Sequence, residues 1–323
     1  MCTFNGSDFI RRQLDSIFGQ SVAVHEIRVF DDGSSDQTLD ILAEYSMRFP
    51  DRLHITSNSS RLGTVKNFER AVSACRGDII FLADQDDVWL PQKVEKYLAF
   101  FAENPGIQVL ASHGYFIDRN DQLVEGYSCW DIPQILSQAN RKFDYCQMLR
   151  NIYNFVTGAS LAIRRELVPE LIPFPILPFY LHDRWIAFVA SSKGSFEMIQ
   201  EKLYSYRLHS GQQTGLALLD RTPAVAKEFQ LEFDMTDEKL PFAYVKMRLN
   251  RLTSAYELHV SLLHAANAHA EFIKGHLTEI RRQYAETKRQ LRRRNPILLF
   301  FLNIFDFLQG IRQLPKVAVE KNG

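Results

Sequence analysis

Short apolar runs alternate with amphipathic stretches along the first two-thirds of this chain. His25–Phe30 and Leu53–Thr56 read as strands. Asp78–Ala83, with Ile79, Ile80, Phe81 and Leu82 in succession, reads as a strand of the buried type. Between these runs the apolar positions fall at helical spacing. One such stretch covers Phe9–Phe18 behind a capping Ser7. A second follows Ser34 or Ser35, with Leu39, Leu42, Ala43 and Met47 on its apolar side, and a third spans Thr64–Ala74. Pro91 opens another helix at its first turn, and Gln108–Tyr115 is a further strand. Past residue 120 the pattern predicts a strand at Ala159–Arg164, a helix at His182–Ser191 and a strand pair or one bent strand at Phe196–Tyr206. This β-α-β-α order predicts a mostly parallel sheet covered by helices.

The opening Met-Cys-Thr-Phe-Asn-Gly runs straight into a helix. A βα unit needs a strand there, and it is missing. The expectation is about ten more residues upstream, enough for a strand of usual length. Residues 216–323 differ in character. Val245, Leu249, Leu252, Tyr256, Leu263, Ala266, Ala270, Ile273, Leu277, Ile280 and Tyr284 follow a 4-3 spacing that only His259 interrupts. Such a stripe predicts a long helix or a helical hairpin. It fits a homodimer seam or packing on the same chain equally well.

Composition narrows the class. With 38 basic and 38 acidic residues the net charge is zero, so the global basic field that grips nucleic acid is absent. Cys2, Cys75, Cys129 and Cys146 form no C-x-x-C pair or dense framework, which points to free thiols in a reducing compartment. No secretory signal is visible, and no apolar run reaches the roughly 18 residues that span a bilayer.

Chemistry concentrates where strands end, because loops after the carboxyl ends of parallel strands are where such sheets bind ligands. Ala83-Asp84-Gln85-Asp86-Asp87 closes an apolar strand. Carboxylates this close repel one another unless a cation sits among them, and oxygen-rich clusters suit Mg²⁺ or Mn²⁺. Such an ion bridges a diphosphate and takes up the charge of a departing nucleotide. The bland alternative is a solvated turn before Pro91. Asp31-Asp32-Gly33-Ser34-Ser35-Asp36 again follows a strand and precedes a helix. A carboxylate there can accept a nucleobase N–H or a ribose hydroxyl; simple N-capping is the alternative.

Three blocks together resemble glycosyltransferase family 2, of the GT-A fold: residues 2–7, the Asp31–Ser35 block, and the run from Gly77 to Pro91. Leu62-Gly63-Thr64-Val65-Lys66-Asn67-Phe68 fits between the last two. Rhamnosyltransferase-like members are nearest. The resemblance is strong over residues 2–100, extends to about 215, and says little of the C-terminal third. It implies a GT-A domain over 1–215 and a helical extension over 216–323. It also implies roles. Thr3 would line the nucleotide pocket, and Asp32 with Asp31 would contact the base or ribose. Lys66 and Asn67 would sit near base or phosphate. Asp84 and Asp86 would form the DXD pair, with Asp86 the direct metal ligand and Asp84 near the ribose.

Downstream, Phe155-Val-Thr-Gly-Ala-Ser160, with Gly158, resembles the acceptor-side glycine loop. His182-Asp183 resembles the acidic pair that opens the catalytic helix, with His where many members carry Glu. Asp183 would be the general base of a single, inverting displacement. Its place at a helix N-terminus favours the anion near neutral pH. The stretch Tyr206–Gly215 resembles a mobile loop, from which Arg207 and His209 would reach the diphosphate.

Seven basic residues between Arg281 and Arg294 precede Pro296 and an almost wholly apolar stretch, Ile297–Leu308. Asn303, Asp306, Gly310 and Gln313 fall on one side of it. Residues 281–314 thus suit contact with an anionic membrane surface or docking on the protein's own core. The whole predicts a metal-dependent inverting glycosyltransferase using Mn²⁺ or Mg²⁺. It would move a hexose or deoxyhexose from a nucleotide-sugar donor to a saccharide or lipid-linked acceptor. It would lie in the cytoplasm, peripheral on the inner face of the membrane. The rivals are a sugar nucleotidyltransferase, for which the Gly-rich basic loop is absent, and a decayed binding module.

Overall fold

The computed structural model describes residues 1–151, 154–212, 215–237 and 239–309. The chain forms two compact units, Met1–Trp130 with Asn154–Arg221, and Asp131–Tyr153 with Thr222–Gly323. The helical unit thus takes in a segment from the middle of the chain as well as its C-terminal third.

In the first unit the elements run β1 (Cys2–Thr3), α1 (Ile10–Phe18), β2 (Ile27–Asp31), α2 (Thr38–Arg48), β3 (Leu53–Ser57), α3 (Thr64–Ala74), β4 (Ile79–Phe81), β5 (Val88–Trp89), α4 (Lys93–Glu103), β6 (Val109–Ile117) and β7 (Leu123–Val124). The second unit contributes α5 (Ile132–Gln138) and α6 (Tyr145–Asn151). The first unit resumes with β8 (Ala162–Arg164), α7 (Val168–Leu171), α8 (His182–Ser192) and β9 (Phe196–Arg207).

Two sheets result. One is β1-β2-β3, wholly parallel. The other runs β4-β8-β6-β9-β5 with β7 on β6. Within it only the β6–β9 pair is parallel. The sheet is therefore mixed, with antiparallel partners on most of its ladders. The first strand, expected to be missing, is present as two residues, Cys2–Thr3, paired with Phe30 and Asp31 of β2. Two residues are too few for an alternation to show.

Phe196–Arg207 is one strand, and its ladder with β6 shifts register around His113. A side chain at Gly114 would press the Tyr204 ring at 3.0 Å and the Trp130 ring at 3.2 Å, so glycine lets the two rings close over the strand. β6 is buried along its length apart from Tyr115, as expected of a strand covered on both faces. In α3 the buried positions Asn67, Phe68, Ala71 and Val72 form one helical stripe.

Capping differs from the expectation. No side chain caps α1; the N–H groups of Phe9 and Ile10 bond Gly6 O instead. At α2, Asp36 rather than Ser34 or Ser35 accepts from Thr38, at 3.0 Å from N and 2.5 Å from Oγ1. Ser34 is diverted, its hydroxyl donating to Asp31 at 2.5 Å.

In the second unit α9 (Pro223–Phe233), α10 (Phe242–Ala265), α11 (Ala270–Arg294) and α12 (Pro296–Gln309) follow. The 4-3 stripe breaks at a turn over Asn267–His269, which makes it a helical hairpin. Val245, Leu249, Leu252 and Tyr256 of α10 bury with Ile280, Tyr284 and Leu291 of α11 in one cluster, so the stripe packs on its own chain. Among the described residues no helix is long and apolar enough to cross a membrane.

Candidate active site

Gly33 follows β2 at φ +87°, a conformation that favours glycine, and turns the chain sharply. The turn leaves the two aspartates before it in different settings. The Asp31 carboxylate is fully buried and engaged internally, accepting from Thr3 Oγ1 at 2.8 Å, the N–H groups of Gly33 and Ser34 at 3.1 and 2.8 Å, and Ser34 Oγ. Asp32 accepts from the N–H groups of Leu62 and Gly63 at 2.7 and 2.8 Å and from Asn58 Nδ2 at 2.9 Å. Asn58 also donates to Asn67 Oδ1 at 2.8 Å, and Asn67 donates to Phe30 O at 2.8 Å. Asp32 thereby ties the loop before α3 to the end of β2.

The acidic loop follows β4. Gln85 clamps it to the N-terminal segment: its Oε1 accepts the Phe4 N–H at 2.8 Å and its Nε2 donates to Phe4 O at 3.0 Å. Gly6 makes room, since a Cβ there would fall 2.3 Å from Gln85 Oε1. Arg207, fully buried, stitches the other side. Its N–H donates to Asp87 Oδ1 at 2.9 Å, its Nε to Asp86 O at 2.7 Å, and its Nη1 pairs with Asp121 at 2.6 Å. Beneath lies Lys93, also fully buried, donating to Ala159 O at 2.5 Å, with Nζ 4.3 Å from the Trp89 ring centre. Burial pushes its ammonium down to about 7, against the pull of Asp87 and Asp84. Burial pushes the Asp84 carboxyl up to about 7, and the charges of Asp86 and Asp183 add to the effect.

Asp183 stands in the first turn of α8. The Arg184 N–H donates to it at 2.6 Å, and the Asn154 side chain and Gly158 N–H also bond it. Burial nonetheless pushes its carboxyl up to about 6. The helix terminus therefore does not lower the value, as its dipole alone would; desolvation outweighs it, although the anion still predominates at neutral pH.

These elements enclose a cleft of about 800 Å³. Of the residues singled out in the sequence, Thr3, Asp32, Asn67, Asp84, Asp86, Gly158, Asp183 and His209 line it. Asp31, Lys66 and Arg207 do not. Lys66 pairs with Glu69 at 2.8 Å, and Arg207 is held behind the acidic loop by the bonds above. Gln213 and Thr214 lie outside the described residues. His209 Nε2 meets Asp86 Oδ2 at 2.9 Å.

Among the described residues no group of three His, Cys, Asp or Glu is set to hold an ion. Asp86 is nevertheless a fitting partial donor, because Mg²⁺-type sites commonly take one or two carboxylates and complete the shell with substrate phosphates and water. Gln85 and Asn154 were missed in the sequence, since their partners lie far along the chain or in an irregular loop.

Over residues 1–171 the chain matches the family described as Glycosyl transferase family 2. The chain belongs to this family. An uncharacterised glycosyltransferase from Nostoc sp. is 24% identical over 242 residues, which is 73% of this chain and 71% of that one. A dTDP-rhamnosyl transferase from Shigella flexneri is 26% identical over 228 residues, 67% of this chain and 73% of the relative. In three dimensions the chain resembles S. aureus TarS in complex with UDP-GlcNAc, with TM-score 0.50 at 14% identity, covering 98% of this chain and 93% of that one. The fold is that of the GT-A transferases, and by family the protein is a glycosyltransferase.

Proposed function

We propose that this glycosyltransferase moves a sugar from a nucleotide diphosphate donor to a hydroxyl of a saccharide or lipid-linked acceptor, with inversion at the anomeric carbon. The observation that carries the reading is the meeting of Asp32, Asp84, Asp86 and Asp183, from three separate parts of the chain, in one cleft. Asp32 and Asn67 border the nucleotide, and Asp84 lies near the ribose. Asp86 would hold Mn²⁺ or Mg²⁺ with His209 beside it, and the ion would supply positive charge to the departing diphosphate. Asp183 takes the proton of the acceptor hydroxyl as its oxygen bonds to the anomeric carbon. The bond from that carbon to the diphosphate oxygen breaks, and the nucleoside diphosphate leaves. Arg207 positions the acidic loop from behind.

The relative named for dTDP-rhamnose and the neighbour bound to UDP-GlcNAc set the first donors to test. A membrane-surface acceptor fits α12, where Ile297, Phe300, Phe301 and Ile304 are exposed at helical spacing beside the basic end of α11. Gly310 and Gln313, counted on its polar side, lie outside the described residues. The reading is tested by release of nucleoside diphosphate from each donor in the presence of Mn²⁺ and a lipid-extract acceptor. Wild type turns over one donor and Asp183→Asn does not; equal turnover by the variant contradicts the assignment.

A further inference from the structure

His182 opens α8 beside Asp183 and lines the same cleft, yet the chemistry above does not use it. Its side chain is almost wholly buried, at 3% exposure. The ring stacks on Phe68, with centroids 3.8 Å apart and planes 13° from parallel, so its plane is fixed. Neither ring nitrogen has a hydrogen-bond partner in the protein. Buried polar atoms without partners are rare in folded proteins, and each calls for an explanation. Gly158 supplies part of one. A Cβ there would fall 2.8 Å from His182 Nε2 and 3.6 Å from Asp84 Oδ2, so the bare α-carbon leaves open the space that these two polar atoms flank.

Resting on the nucleotide-sugar reading, we propose that His182 is a specificity residue that hydrogen-bonds a hydroxyl of the donor sugar at Gly158. Burial pushes the imidazole down to about 3, so the ring that faces the cleft is neutral. A neutral imidazole offers one N–H donor and one bare nitrogen acceptor. A phosphate oxygen is met better by a cation, whereas a hydroxyl both donates and accepts and matches either nitrogen. Asp84 borders the same space on the other flank of Gly158. The ring is a reader of the sugar and leaves the nucleotide to the Asp32 side.

The test is calorimetric titration of wild type, His182→Phe and Gly158→Ala with Mn²⁺ present. The probes are UDP, GDP and dTDP, then UDP-GlcNAc, GDP-mannose and dTDP-rhamnose. His182→Phe keeps a ring against Phe68 and removes both nitrogens; Gly158→Ala puts a methyl 2.8 Å from Nε2, which fills the space and displaces the ring. For the donor that wild type prefers, the gain in affinity of the nucleotide sugar over its bare nucleoside diphosphate should fall by about tenfold in either variant. Affinity for the bare nucleoside diphosphate should not change. Equal loss for both ligand types, or no loss for either, overturns the assignment. Wild type that binds no nucleoside diphosphate overturns the transferase reading on which it rests.

Discussion

His209 Nε2 lies 2.9 Å from Asp86 Oδ2, and Nδ1 of the same ring accepts the Gly211 N–H at 3.2 Å. In the neutral ring the proton therefore sits on Nε2 and is donated to the carboxylate. The loop after β9 thus holds Asp86 in one orientation, at the place proposed for the ion. His209→Ala should weaken Mn²⁺-dependent donor binding by about tenfold and leave the metal-independent part unchanged. Calorimetry with and without Mn²⁺ reads both; an unaltered metal dependence would show that the orientation of Asp86 does not need the ring.

Asp183 carries the proton transfer in the proposed reaction. Its carboxyl is raised to about 6 by burial, so the basic form is present above that pH and is lost as the pH falls through it. A profile of kcat/KM against pH should fall on the acid side with a midpoint near that value. Asp183→Asn should bind donor normally and lose roughly 10²- to 10⁴-fold in kcat. A variant that keeps the acid limb would place the titrating base elsewhere.

Gln85 joins the acidic loop to the segment after β1. Gln85→Ala leaves the Phe4 N–H and carbonyl without their side-chain partner, a loss of about 1–3 kcal/mol if water does not replace it. Gly6→Ala should act through the same contact, because its new methyl would displace the Gln85 amide. Both variants should melt at lower temperature and bind donor more weakly. A combined variant no worse than Gln85→Ala alone would show that both act on one contact; full additivity would separate them.

Helix α12 exposes Phe300 and Phe301 at 61% and 62%. The full chain should co-sediment with vesicles containing phosphatidylserine, less so as salt is raised. Phe300→Ser with Phe301→Ser should reduce partitioning by about tenfold or more, given roughly 1.5–3 kcal/mol per buried aromatic side chain. Equal binding to neutral vesicles, or none to either, would contradict the surface role.

The helices and longer strands of the first hundred residues were legible because local signals agree there. Thr64–Ala74 is a helix as expected, since Gly63 stops the preceding loop and Phe68, Ala71 and Val72 repeat on one face. Asp32, Asp84 and Asp86 stood out as candidates because they follow clear apolar strands. Arg207 was not placed correctly by pattern. Its burial depends on Asp87 and Asp121, which only the tertiary fold brings to it. That Asp36 rather than Ser34 accepts from Thr38 was equally hidden, because Asp31 recruits the Ser34 hydroxyl. In the hairpin, the 4-3 spacing predicted the buried face, but no Gly or Pro marks the turn at Asn267–His269.

The acidic residues of this cleft are proposed to gather one divalent ion and one nucleotide sugar. Titrating UDP-GlcNAc, GDP-mannose and dTDP-rhamnose into wild type and Asp86→Ala, each with and without Mn²⁺, tests it most directly. One donor should bind wild type far more tightly with Mn²⁺, and Asp86→Ala should abolish this dependence. Donor binding that is indifferent to both the ion and the substitution would contradict it.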